Sequence, residues 1–376
     1  MPDGLKNNIG PTASKVMRTP RSLDIEITAR CNLRCRYCYF FNNPAVEYRD
    51  LPADEWLKFF DELGSLGVMN VTLAGGEPFI REDLPVLLEG IVRNRMRFSL
   101  LSNGALIDDE IAAFTASTGR CEVVQISVDG SCATIHDTCR GKGSFDAAIR
   151  GIHTLKRHHV NVAVRVTIHH NNVYDLENIA HFLLEDLGLP GFSTNAAGYL
   201  GTCRLNAAEV MLTIPERQLA MTTLLRLAEK YPGRIYASAG PLAEGLVWRQ
   251  MEDARAHGAP ALPNRGHLTA CGCPSNKIAV RTDGAIVPCS MLAHNELGRI
   301  NEDSLREIWQ HSPALNQLRN RHTIPLTGFK FCAGCSYIPY CSGNCPGLAY
   351  TITGQIDHPS PDACLRQFLE DWGTIP

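Results

Sequence analysis

A chain of 376 residues, 44% hydrophobic and 20% charged with a formal net charge of −3, has room for two or three domains and a large core without covalent staples. This balance excludes a disordered chain. It offers no basic footprint for nucleic acid, and no apolar run approaches the ~20 residues that span a membrane. Residues 1–20 are polar and broken by Pro and Gly, unlike a secretion signal, so a reducing cytoplasm is expected. There, 15 cysteines point to metal or catalysis rather than disulfides.

In chain order, residues 1–21 read as a tail. Residues 22–200 alternate short apolar runs with amphipathic stretches. LDIEIT (23–28), NVTLAG (70–75), RFSLLSNG (97–104), VVQISVDG (123–130) and VAVRVTI (162–168) have the length, branching and Gly/Asn/Asp boundaries of strands. Between and after them, ADEWLKFFDELGSLG, LPVLLEGIVRNR, DEIAAFTAS, FDAAIRGIHTLKRHH and LENIAHFLLEDLG place apolar residues at helical spacing. Strand–helix alternation implies βαβ units and a parallel α/β sheet of about six units, either a partial (β/α) barrel or an open wound sheet. In both, the site lies at the C-terminal ends of the strands. Residues 201–262 read as a helical connecting segment with two helices, and residues 263–376 as a cysteine-rich unit that opens on a hairpin turning at Asp283-Gly284. That last unit is loop-rich and cannot build a large apolar core, so metal ligation is expected to stabilise it.

The cysteines fall in groups. Cys31, Cys35 and Cys38 follow the first strand directly; Cys121, Cys132, Cys139 and Cys203 are scattered; eight lie between Cys271 and Cys364. Three clustered thiols without a neighbouring fourth suit a [4Fe–4S] cluster whose fourth iron stays open to a small molecule, as a catalytic zinc keeps a free position. A three-cysteine zinc site or buried unligated thiols are the alternatives.

The loop Cys31-Asn-Leu-Arg-Cys35-Arg-Tyr37-Cys38 resembles the CxxxCxxC signature of the radical S-adenosylmethionine (SAM) superfamily, with an aromatic residue before the last cysteine. Gly75-Gly76-Glu77-Pro78 ends the second strand, as that family's GGEP motif does. Ser102-Asn103-Gly104 and Ser127-Val128-Asp129-Gly130 follow at the next two strand ends, with His136-Asp137 and Arg140-Gly141 beyond. The resemblance implies a partial (β/α)6 TIM-like barrel in which Tyr37, Gly75, Gly76, Glu77, Pro78, Ser102, Asn103, Ser127 and Arg140 contact SAM. Arg165 joins them by position on its strand. It further implies reductive cleavage of SAM to a 5′-deoxyadenosyl radical that abstracts a substrate hydrogen, with an electron donor such as flavodoxin or ferredoxin.

The tail reads C-x12-G-x4-C or C-x10-G-x4-C at Cys271, Cys273 and Cys289, then C-x2-C-x5-C-x3-C at Cys332, Cys335, Cys341 and Cys345, then Cys364. On spacing alone, two zinc ions are slightly favoured over two iron–sulfur clusters, an order that a radical SAM core upstream inverts, and a zinc-ribbon scaffold is the non-enzymatic reading. The order is similar to that of SPASM domains, which hold two auxiliary [4Fe–4S] clusters, making three in all. The resemblance assigns Cys271, Cys289 and Cys345 to auxiliary cluster I, with Cys273 as fourth ligand or with one iron left open. It assigns Cys332, Cys335, Cys341 and Cys364 to auxiliary cluster II. SPASM enzymes mostly modify peptides, so a crosslink or epimerisation in a ribosomal peptide is the expected reaction. A small-molecule or tetrapyrrole substrate is the alternative. With about 22 residues before the first strand, a peptide would be recognised at the barrel mouth or by a separate leader-binding protein. Sulfatase maturases place a catalytic Asp directly after the cysteine equivalent to Cys289; Ser290 stands here and argues against that activity. Cys203 is the candidate hydrogen donor, as a thiol just past a strand end, set against a small buried hydrophobe. His169-His170 either line the site or form a solvated strand end, and Tyr39-Phe40-Phe41 are expected to shield the cluster.

Overall fold

The computed structural model describes residues 16–44, 46–269 and 271–376. Residues 1–15 of the expected tail lie outside it. Residue 17 packs against the C-terminal unit, its carbonyl accepting from Trp309 Nε1 and Gln310 Nε2, both at 2.8 Å.

Each expected strand forms within a few residues of its sequence bounds. β1 (Ser22–Thr28), α1 (Ala53–Ser65), β2 (Asn70–Gly75), α2 (Leu84–Arg93), β3 (Arg97–Ser102), α3 (Asp109–Ser117), β4 (Cys121–Ser127), α4 (Ala133–Arg140), α5 (Ser144–Arg157), β5 (Val162–Ile168), α6 (Leu176–His181) and β6 (Phe192–Ala196) run in order. β1 to β6 pair side by side and all in parallel, which makes a mostly parallel α/β sheet of the barrel type expected. Leu23, Ile25 and Ile27 are fully buried against the helices around Trp56, Phe59 and Phe60. Strand alternation therefore turns Asp24, Glu26 and Thr28 to the inner face.

The segment 201–262 is more than a helical connector. After the single turn α7 (Ala207–Val210) and the helix α8 (Ile214–Lys230), β7 (Ile235–Ala237) adds a parallel strand beside β6, and α9 (Pro241–Ala256) covers it. Three residues are too few for alternation to show in a sequence. α8 starts at a capping box in which Thr213 and Glu216 satisfy each other's backbone donors.

The hairpin β8 (Lys277–Val280) and β9 (Ala285–Val287) turns at Gly284, whose φ of 85° suits glycine. β8 also pairs in parallel with β1, so the cysteine-rich unit continues the barrel sheet through β9 to β10 (Gly298–Arg299). That continuity brings Ser290, next to Cys289, to Glu26 on the inner face of β1.

Candidate active site and cysteine centres

The three-cysteine loop leaves the C-terminal end of β1 and is held there by Asp50, which accepts from the Ala29 N–H at 2.5 Å and Thr28 Oγ1 at 2.7 Å. The Cys31, Cys35 and Cys38 thiols act electrostatically on one another. Burial raises the Cys31 thiol and pushes Cys35 up to about 11, so metal binding there must release protons. Two glycines let strand and loop meet. Gly76 N–H donates to Thr28 O and Glu77 N–H to Arg30 O, both at 2.8 Å. A Cβ on Gly76 would stand 2.1 Å from Arg30 O, and Gly75 sits at φ 111° with Thr28 O 2.4 Å from any added Cβ.

Glu77 and Pro78 are buried behind the loop. Burial pushes the Glu77 carboxyl up to about 7, against hydrogen bonds from the Asn103 N–H and Ser102 Oγ at 2.8 Å and the Phe79 N–H at 3.2 Å. The carboxylate thus draws Ser102 and Asn103 into the site, and Asn103 Nδ2 donates to Asn32 of the loop at 2.8 Å.

On the other side, Asp129 is the buried hub. It accepts from Tyr37 Oη, from Arg140 Nε at 2.5 Å and from the Thr167 N–H at 2.7 Å. Arg140 Nη1 lies 3.9 Å from Cys35 Sγ, and its guanidinium stands over the Tyr37 ring. Ser127 ends β4 opposite Arg165 in register. Arg165 itself donates to Ser193 Oγ at 3.3 Å and faces Tyr39 and Asp24, so it points into the lumen.

Two sequence readings change here. His169 is not at a solvated strand end: it is fully buried, stacked on Tyr37 at 5.1 Å, with its pKa driven down to about 4 by burial. His170 alone is half-exposed, 2.7 Å from Glu216. Cys203 does not face the barrel opening. It has no exposure, packs with Tyr37, Cys139 and Val210, and burial pushes its thiol up to about 11. Of the aromatic trio, Phe40 is buried edge-on to Phe41 and Tyr48, while Tyr39 is 44% exposed.

Glu26, Asp24 and Lys277 were not singled out from the sequence, although the acidic alternation within LDIEIT carried the signal. Lys277 of β8 meets Asp24 at 2.6 Å. Glu26 is 4% exposed and hydrogen-bonds Ser290, so a carboxyl does reach the position after Cys289, but from β1. Burial pushes Glu26 up to about 8, against the Ser290 hydrogen bond and Arg281. A carboxyl with a raised folded pKa costs nothing below its unfolded value near 4.5 and costs most above 8, at ~1.4 kcal/mol per unit. Glu26→Gln is therefore expected to gain a few kcal/mol on the native chain between about pH 5 and pH 9. Urea midpoints at both pH values check this; a difference that does not change with pH would refute it.

The eight later cysteines sort into two sets. Cys271, Cys273, Cys289 and Cys345 act on one another, with Cys271 and Cys273 in side-chain contact. Cys332, Cys335, Cys341 and Cys364 form the other set. All fifteen cysteines are free thiols. Four thiols in each set are the donor type and number that a [4Fe–4S] cluster takes. Orphaned guanidinium nitrogens, Nε of Arg321 and of Arg366, are buried beside the two sets, as befits an anionic group between the thiols. No helix among the described residues is long and apolar enough to cross a membrane.

A family model for the radical SAM superfamily matches residues 25–183, and one for the SPASM iron–sulfur cluster-binding domain matches residues 271–345. Fe-coproporphyrin III synthase of Methanosarcina barkeri is 30% identical over 91% of this chain and 87% of its own length. PqqA peptide cyclase of Ruegeria pomeroyi is 24% identical over 93% of this chain and 88% of its own. The fold is that of Streptococcus suis SuiB, solved bound to the precursor peptide SuiA, with a TM-score of 0.71 at 16% identity over 93% of this chain and 77% of that one.

Proposed function

This chain belongs to the radical SAM superfamily and carries a SPASM domain, and from that premise we propose that it matures a ribosomally made peptide by crosslinking or epimerisation. When bound, SAM and a reduced [4Fe–4S] cluster supply a 5′-deoxyadenosyl radical that removes a substrate hydrogen atom. In this reading Cys31, Cys35 and Cys38 hold that cluster. Tyr37, Gly75, Gly76, Pro78, Ser102, Asn103, Ser127 and Arg140 surround SAM, Glu77 orders Ser102 and Asn103, and Arg165 reaches SAM or substrate from below. The buried sheet and the Phe40 cluster keep water from the reacting atoms. Cys271, Cys273, Cys289 and Cys345 hold auxiliary cluster I; Cys332, Cys335, Cys341 and Cys364 hold auxiliary cluster II. A flavodoxin or ferredoxin delivers electrons, and a separate leader-binding protein presents the peptide.

The lumen presents donors and acceptors together. Asp24 is paired with Lys277 at 2.6 Å, burial raises the Glu26 carboxyl to about 8, and Arg165 donates to Ser193 Oγ at 3.3 Å, so no surplus of negative charge lines it. A peptide segment meets hydrogen-bonding groups of both kinds there. The PqqA peptide cyclase relative supports the peptide reading. The 30% identity to Fe-coproporphyrin III synthase favours a second, tetrapyrrole reading.

Anaerobic turnover with SAM and dithionite separates them. The candidate peptides are those encoded by short frames beside the gene, offered alongside iron tetrapyrroles that bear acetate and propionate side chains. Loss of two hydrogens from a peptide, or uptake of one solvent deuterium at an α-carbon, is expected. Decarboxylation of a tetrapyrrole with every such peptide unchanged would establish the second reading instead.

A further inference from the structure

Arg321 follows the helix Pro313–Asn320 and is wholly buried. Its Nη1 donates to Thr269 O at 2.9 Å, two residues before Cys271, and its Nη2 to His358 O at 3.3 Å. Nε makes no hydrogen bond; its ion-pair partner, Asp357 Oδ1, is a buried oxygen 3.5 Å away on a side chain 28% exposed overall, a longer and weaker pairing than the one at Arg140. The other charges acting on Arg321 are the Cys271 and Cys345 thiols, and Asp357 is not among the main groups acting on either thiol. The remaining cysteine sets are different. Arg140, beside Cys35, is neutralised by buried Asp129 at 2.5 Å. Arg366, beside Cys332 and Cys364, is a quarter exposed and lies 3.6 Å from Glu370.

We propose that Arg321 is a positioning residue that raises the reduction potential of the cluster held by Cys271, Cys273, Cys289 and Cys345 above that of its SPASM neighbour; this rests on the cluster assignment above. Reduction adds an electron to a site already ringed by thiolates. A fixed positive charge in a low-dielectric interior stabilises the reduced form more than the oxidised one. Guanidinium suits the task because burial does not deprotonate it, as it would an amine. Lys277, which also acts on Cys271 and Cys273, is paired with Asp24 at 2.6 Å and so adds little net charge on the lumen side. The cluster with the higher potential is then the one beside the lumen, placed to take the electron that a substrate radical gives up as it loses a proton and closes a crosslink.

The test is an EPR-monitored redox titration of the anaerobically reconstituted full chain, with iron counted in each sample. Arg321→Gln is expected to keep its iron and move one auxiliary midpoint to lower potential. Arg321→Lys, which retains the charge, is expected to move it less, and Arg366→Gln is expected to leave that midpoint in place. Should Arg321→Gln fail to fold, Asp357→Asn decides: removing this counter-charge, on a side chain 28% exposed, is expected to move the same midpoint upward. Three clusters with potentials indifferent to both Arg321→Gln and Asp357→Asn, or to the latter alone if the former does not fold, would overturn the proposal. A native chain holding iron only for the Cys31 loop would instead overturn the assignment of the later cysteines, and the proposal with it.

Discussion

Replacing Cys31, Cys35 and Cys38 together with alanine is expected to end 5′-deoxyadenosine release from SAM, a loss of at least ~10⁶-fold if cleavage falls to the uncatalysed rate. Iron should drop by about four per chain, from about twelve to about eight, if the two SPASM sets load independently. The physical ground is local. The three thiols sit on one loop held by Asp50 and pressed against Gly75 and Gly76. They contribute little apolar area, so the chain should still fold, and its circular dichroism should match the native apo-protein. Quantified 5′-deoxyadenosine and iron from anaerobic samples check both parts. Cleavage that survives the triple change would mean that SAM is activated elsewhere.

The largest effect on stability is expected from Asp129→Asn. The carboxylate has no exposure and holds Tyr37, Arg140 and the Thr167 N–H. Its backbone N–H donates to His136 Nδ1 at 3.0 Å, and its carbonyl accepts from Asn172 Nδ2 at 2.9 Å. Asparagine keeps the shape but turns a donor toward groups that are themselves donors. It also leaves the Arg140 guanidinium, 8% exposed, without a counter-charge. Breaking one side of a buried pair costs about 3–5 kcal/mol, a large part of a domain's ~5–15 kcal/mol. The pH dependence should follow. Burial alone would raise this carboxyl, but Arg140 and the Tyr37 hydroxyl hold it below its usual value. The stability it contributes is thus present above its unfolded pKa of 3.8 and is lost as pH falls through the lower folded value. Asp129→Asn should lack that acid-side loss. Urea unfolding of the apo-protein at neutral and acidic pH reads both; a penalty under ~1 kcal/mol would show that Arg140 finds another partner. Because Arg140 also approaches Cys35, SAM cleavage should fall in the same variant.

Much of this was legible without coordinates because its determinants are local. A cysteine loop ends a strand by adjacency, and apolar runs of five to seven residues identify β1 to β5. The hairpin at Asp283-Gly284 is announced by its turn. Glu77 shows the limit of such reading. Its motif marks the site, yet its carboxylate is occupied by Ser102 and Asn103, which no spacing reveals. Cys203 and His169 show a second limit: a residue's place after a strand does not say whether later elements cover it. Here α7 and Tyr37 do.

By itself, then, the sequence determined the chemistry on offer: which thiols stand near one another along the chain and which strand ends carry glycines. These follow from covalent spacing and from periods of two and 3.6 residues, which need no partner to be read. Only the tertiary structure decided that β8 pairs with β1 across some 250 positions and that Asp24, Glu26 and Lys277 share one lumen. Only it decided that Arg321 is wholly buried, with Asp357 3.5 Å away as its one carboxylate neighbour among the described residues. Those outcomes rest on long-range pairing and desolvation, which belong to the packed chain and to no segment of it.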